Sequence, residues 1–248
     1  NLKAFAKSAL AALLATALPA LSSAQQNATY NRPCDASAAV ALDAAHFVVG
    51  DDEHNTLRIY QQGQAQAVGS LDLSAFLATD GVEQVELTGP WKAVLATGAT
   101  VHLVSNVDEV QGFDHLDKAD RFPVDRQVRD ANPSVYDALV LPGGVANPDA
   151  LRGDPDAVAF VRAFLGAEKL VAAICHAPWL LVEADGVRGR QVASWPSLRT
   201  DLENAGASWV DQEVVVDDQG AGILITSRNP DDLPAFNEQL VAHLASGS

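Results

Sequence analysis

Methionine is absent from this chain and cysteine nearly so, with Cys34 and Cys175 the only two. So few thiols exclude a disulfide-rich scaffold. No Cys-x-x-Cys occurs and the six histidines are scattered, so no metal site is expected. A Cys34–Cys175 bond would consume the residue argued below to be the nucleophile, and it is not expected. Basic residues are scarce, 16 against 32 acidic, for a net charge of -16. That field repels nucleic acid and anionic membrane surfaces, which excludes both as partners. There is no Gly-x-x-x-x-Gly-Lys loop to cradle a nucleotide, and no cofactor is expected. Nor is there a good spanning helix, because the apolar run from Ala9 to Leu21 is short and broken by Pro19.

That run has another reading. Lys3 and Lys7 precede it and Ser22-Ser23-Ala24 follow it, the pattern of a secretory signal cleaved after Ala24. Residues 1–24 are therefore expected to direct the chain to the periplasm or outside, leaving nothing in the membrane; without that use it stays in the cytoplasm. The sequence starts at Asn1 with no methionine, so an initiator is expected upstream. Residues 25–74 read as a partial β module. Its clearest strands, Ala45–Gly50 and Leu57–Tyr60, flank the acidic turn Asp51-Asp52-Glu53-His54-Asn55-Thr56. One such hairpin resembles the opening of a secreted propeller-like bacterial domain, and a single blade cannot bury its own face. Asn27-Ala28-Thr29 fits a glycosylation sequon.

Residues 75–248 carry the chemistry. Val171-Ala172-Ala173-Ile174 reads as a buried strand that runs straight into Cys175-His176 and then an apolar helix start. A sharp strand-to-helix turn presents its nucleophile above the sheet edge, with helix N–H groups beneath it. Those groups favour the thiolate, so Cys175 is expected to titrate below a free cysteine. Two further strand ends precede loops. Thr79-Asp80-Gly81-Val82-Glu83 brings Glu83 to where it could share a proton with the sulfur, and Leu141-Pro142-Gly143-Gly144 could offer oxyanion N–H groups. His115, after Asp114, is a candidate at the entrance. Strands expected at 71–78, 100–105, 137–141, 170–174, 208–216 and 222–227 alternate with helices at 84–97, 154–166, 176–184, 197–205 and 233–245. That alternation implies an α/β fold with a mostly parallel sheet sandwiched by helices, carrying a short β-hairpin appendage at its N-terminus. Asp72 and Ser74 are unusual in a strand buried on both faces.

From about Phe76 to Leu244 the chain resembles the PfpI family of the class I glutamine amidotransferase-like superfamily, in its bacterial general-stress branch. The resemblance rests on Asp80–Leu87, Gln111-Gly112-Phe113-Asp114-His115, Leu141–Asp149, Ala173-Ile174-Cys175-His176, Ser194–Leu198, Val210-Asp211 and Thr226-Ser227-Arg228. It implies a flavodoxin-like fold, a nucleophilic Cys175, Glu83 bonded to it, His176 as acid/base and an oxyanion site at Gly143 and Gly144. Ala177 stands where the family often has glycine, and its methyl is expected to narrow a pocket that Trp179 also lines. The branch associates so that a neighbour's carboxylate orients the histidine, which makes Asp149 of a second copy the candidate in a homo-oligomer. A glutamine amidotransferase is less expected, because those enzymes take a downstream His-x-Glu pair as partners, whereas the histidines from Cys175 onward are His176 and His243, and Leu244-Ala245 follows the latter. What remains is a cofactor-independent cysteine enzyme acting on small reactive carbonyls or their adducts, glyoxalase- or deglycase-like. The alternatives are a cysteine peptidase and a non-enzymatic redox sensor or chaperone of the stress response.

Overall fold

The computed structural model describes residues 36–41, 45–51, 56–61, 67–71, 73–220 and 222–246. The expected signal segment, Cys34, the sequon and most of the acidic turn lie outside the described residues. The chain divides into two compact units between Leu71 and Asp72. The first is an antiparallel meander of β1 (Ala36–Ala41), β2 (His46–Asp51), β3 (Thr56–Gln61) and β4 (Ala67–Leu71). Phe47 and Tyr60 face each other across β2 and β3, and their rings stack at 5.6 Å. The expected hairpin is present, but two more strands flank it. Both lack the usual strand signal, β1 being alanine-rich and β4 holding Gly69 and Ser70.

The second unit begins with β5 (Leu73–Leu77), β6 (Val82–Glu83) and helix α1 (Gln84–Ala96), followed by β7 (Thr100–Ser105). A hairpin of β8 (Glu109–Asp114) and β9 (Asp117–Pro123) and a short β10 (Arg126–Gln127) fill the stretch before β11 (Ala138–Leu141). Then come α2 (Ala146–Arg152), α3 (Pro155–Gly166), β12 (Leu170–Ile174) and α4 (Pro178–Glu183). The chain continues through β13 (Gln191–Val192), α5 (Arg199–Asn204), β14 (Ser208–Trp209), β15 (Val214–Asp217), β16 (Leu224–Ser227) and α6 (Leu233–Ser246). Seven strands form the central sheet in the order β10-β7-β5-β11-β12-β16-β15, all parallel except β15. Among the described residues, no helix is long and apolar enough to cross a membrane.

Alternate residues of the central strands feed two cores. Leu139, Leu141, Val171 and Ala173 meet Phe160 and Phe164 of α3 on one face, while Val140, Ala172 and Ile174 meet Leu87 of α1 and Phe236 of α6 on the other. Helices therefore cover both faces, as the near-continuous apolar strands require. The expected strand 71–78 is corrected at its start. Leu71 closes β4 in the first unit, and the sheet strand proper is Leu73–Leu77. All five of its residues are buried, including Ser74, whose hydroxyl has no partner among the described residues. The expected strand 208–216 is likewise two separate strands, β14 and β15. Helix α2 was not expected, because Asn147 and Pro148 in so short a segment read as loop.

Candidate active site

Cys175 follows β12 directly and sits in the left-handed region at φ 63°, a strained position for a residue with a Cβ. Backbone bonds hold it there from two sides: its N–H donates to Ser227 O at 3.0 Å, and its carbonyl accepts from Trp195 N–H at 2.9 Å. Ala177 N–H closes the turn onto Ile174 O at 3.0 Å, and Pro178 then opens α4. This is the strand-to-helix elbow that the apolar run ahead of Cys175 predicts. His176 turns back so that Nδ1 lies 3.2 Å from the sulfur.

The carboxyl beside that sulfur belongs to Glu86, which corrects the assignment of this role to Glu83. Glu83 is the extended residue that caps α1, whereas Glu86 is almost one turn inside the helix. It shares a buried face with Leu87, Pro90 and Val94, and that face looks onto the ends of β11 and β12. Glu86 is fully buried and accepts from Gly143 N–H at 2.9 Å. Its carboxyl is in hydrogen-bonding contact with the Cys175 thiol, while Oε1 stays buried without a partner among the described residues. A carboxylate standing in a helix's apolar stripe was the signal available in the sequence.

Burial sets the protonation of this pair. It raises Glu86 to about 8, opposed by the hydrogen bond with Cys175 and by the Gly143 and Gly144 N–H groups, so the carboxyl is neutral at physiological pH. Burial also pushes the Cys175 thiol up, and an ionised Glu86 adds to that push. The expectation of a lowered thiol value therefore misses the larger effect, the loss of water around the sulfur. The N–H groups of Gly144 and His176 oppose the rise. With Glu86 protonated its repulsion vanishes and its O–H can donate to sulfur, so the two groups lose protons as one coupled pair. His176 is lowered by burial alone and is neutral at pH 7.

The two glycines divide the work expected of them jointly. Gly143 N–H is spent on Glu86, Gly144 N–H is shared between the Glu86 carboxyl and the sulfur, and His176 N–H faces the sulfur. A Cβ on Gly143 would come within 2.5 Å of Glu86 Oε2 and 2.6 Å of Cys175 Cβ, so only glycine lets the three groups meet. Asn147 of the unexpected α2 fixes this loop. Its side chain donates to Pro142 O at 2.8 Å and Gly143 O at 3.1 Å and accepts from Thr79 N–H at 2.7 Å.

The other expected residues are less central. Glu83 Oε2 accepts from His115 N–H at 3.1 Å, tying the β8–β9 turn to the start of α1, and burial raises its carboxyl. Glu83, Asp114 and His115 bring one ligand atom each within 4.8 Å of one another. Three ligands, two of them on exposed residues, fall short of the six to eight oxygens that calcium takes. Asp149 is exposed on α2. Ala177 is 1% exposed in the core on the face opposite that of Cys175, so its methyl does not narrow the site. Trp179 does flank the site, with its ring edge-on to His176 at 5.4 Å. Trp195, part of a matched motif but given no role from sequence, stacks on the same imidazole at 5.6 Å.

Known proteins resemble this chain in sequence and fold. A family model described as the DJ-1/PfpI family matches residues 74–243. "Protein/nucleic acid deglycase 2" of Escherichia coli is 42% identical over 69% of this chain and 97% of its own. "General stress protein 18" of Bacillus subtilis is 42% identical over 68% and 96%. Among solved structures, Drosophila melanogaster DJ-1beta superposes with a TM-score of 0.63 at 25% identity, covering 71% of this chain and 91% of that one. A protein from Anabaena variabilis joining such a domain to a ferritin-like one gives 0.64 at 34% identity; the match covers 70% of this chain and spans half of that protein. Motif, fold and elbow agree, and the chain belongs to the DJ-1/PfpI family.

Proposed function

We propose that this protein is a cofactor-independent cysteine enzyme acting on small reactive carbonyls or their adducts. The observation that carries the reading is the left-handed Cys175, buried between the Glu86 carboxyl and His176 Nδ1. As the Cys175 sulfur adds to an aldehyde carbon, the neutral His176 imidazole 3.2 Å away takes the thiol proton and passes it to the new oxyanion, which accepts from the N–H groups of Gly144 and His176 and becomes the hemithioacetal hydroxyl. With a 2-oxoaldehyde, His176 takes the proton from the hemithioacetal carbon and returns it to the neighbouring carbonyl carbon, giving a thioester. Water then cleaves the thioester and restores the thiol. The sum is one water added to one dicarbonyl, an internal redox that needs no outside acceptor. An E. coli relative named a deglycase supports carbonyl chemistry. The net charge of -16 counts against a polyanionic substrate here.

The test is conversion of methylglyoxal to lactate by the protein and by a Cys175→Ala variant. Turnover lost in the variant is expected, and turnover that survives it overturns the reading. A second reading is peptide hydrolysis, because Bacillus subtilis "Putative cysteine protease YraA" is 39% identical. Cys175 and His176 are 6% and 8% exposed, which leaves little room for a polypeptide. Cleavage of a fluorogenic peptide, abolished by the same variant and without lactate formation, would favour it. Ordered oxidation of Cys175 to the sulfinate with no turnover of either substrate would favour the redox-sensor reading instead. Residues 1–24 we read as an export signal, which cell fractionation tests directly.

A further inference from the structure

His176 is held by rings. Trp195 stacks on it with 24° between the planes, and Trp179 meets it edge-on at 61°. Among the described residues, no carboxylate bonds to the imidazole; the titratable group it touches is Cys175, with Glu86 beyond the sulfur on α1. Arg152 of α2 and Asp201 of α5 lie behind Trp179.

Trp179 is anchored through its indole, and Trp195 through its backbone. Trp179 Nε1–H donates to Asp201 Oδ2 at 2.9 Å, and the Arg152 guanidinium lies 5.7 Å above its ring. Trp195 donates its backbone N–H to the Cys175 carbonyl, while its own carbonyl accepts from the Ser194 hydroxyl at 2.9 Å. That hydroxyl in turn accepts from Trp209 Nε1–H at 3.0 Å. Trp195 nonetheless stays 40% exposed, while the imidazole beneath it is 8% exposed. A core-filling tryptophan would bury itself, whereas this one covers the histidine.

We infer that Trp195 and Trp179 are positioning residues that fix the plane of the His176 imidazole and keep water from it, so that Nδ1 stays aimed at the Cys175 sulfur. Offset stacked and edge-on contacts are preferred ring geometries, and together the two remove rotation about the last side-chain bond. An in-line proton path then exists before substrate arrives. The inference rests on the proton-shuttle role given to His176 above, but its test does not require turnover.

Nitrogen-15 NMR of the His176 ring reports tautomer and titration in the wild type and in Trp195→Leu, Trp195→Phe and Asp201→Ala variants. The wild type should show one dominant tautomer and titrate below the ordinary value of about 6.5. Trp195→Leu should mix the tautomers and move the titration upward by roughly half a unit or more as water reaches the ring. Trp195→Phe should restore both readings, since a flat ring remains, and Asp201→Ala, a surface change, should act like the leucine variant more weakly. If methylglyoxal is a substrate, the leucine variant should lose about tenfold or more in kcat with KM within about twofold. An unchanged His176 titration and tautomer in the folded leucine variant overturns the inference. So does a raised KM at unchanged kcat, which would make Trp195 a substrate contact. A wild type that turns over no aldehyde yet shows the NMR pattern would defeat the proposed function and leave the positioning intact.

Discussion

Glu86 is where a single side chain decides most. A buried acid raised to about 8 stays protonated in the folded state while its unfolded counterpart ionises from 4.5 upward. Between those values the unfolded chain binds fewer protons, so stability falls as pH rises, by up to roughly 1.4 kcal/mol per unit. Glu86→Gln removes that loss and keeps an acceptor for Gly143 N–H. Urea midpoints should match wild type near pH 4.5 and exceed it increasingly up to pH 8. An advantage that does not grow over that interval would mean Glu86 is ionised in the fold. The iodoacetamide inflection of Cys175 should move in Glu86→Gln more than in Glu83→Gln, because only Glu86 meets the sulfur. Gly143→Ala should cost about 1–3 kcal/mol in thermal or urea denaturation, since the added methyl has Glu86, Cys175 and the Ile174 carbonyl against it.

Elements were legible in the sequence where pattern and burial coincide. The runs that became β7, β11 and β12 are short and apolar, and they lie close to their expected places; the cysteine that ends β12 marked the elbow at once. Legibility failed where a side chain's direction matters more than its place in the chain. Glu83 and Glu86 lie three residues apart, and only the phase of α1 tells which one faces the sulfur. The same limit hid Trp195, whose role depends on a loop pinned to the Cys175 carbonyl. Strand β5 shows a conflict between local and global preference, since Ser74 is buried with no partner for its hydroxyl among the described residues. Ser74→Ala should be neutral or stabilising by about 1 kcal/mol in urea denaturation, because it removes an unmade hydrogen bond. Limited proteolysis should cut ahead of Leu73 and spare β5, which pairs with both β7 and β11. Early fragments lacking Leu73–Leu77 would show that the division near Leu71 is misplaced.

At the scale of the whole molecule, the acidic surface favours solubility and sets what can approach. Within one chain His176 is flanked by Trp179 and Trp195, and among the described residues no carboxylate bonds to it. We propose a homo-oligomer in which Asp149 of a second copy faces the ring and raises its proton affinity. Light scattering should then show more than one chain per particle, and Asp149→Asn should lower the His176 titration without dispersing the particles. A fully active monomer would remove the need for a partner.

The elbow leaves the molecule with a standing conflict between endurance and chemistry. A left-handed backbone suits glycine, and the two bonds that pin position 175 come from the main chain, so the turn does not depend on the thiol. Cys175→Gly should therefore melt higher than Cys175→Ala, by about 1 kcal/mol of stability, although both leave nearly the same gap beside Glu86. Selection for robustness alone would drift this position toward glycine. The cysteine at this position therefore costs stability, and the proposed thiol chemistry is what would offset that cost.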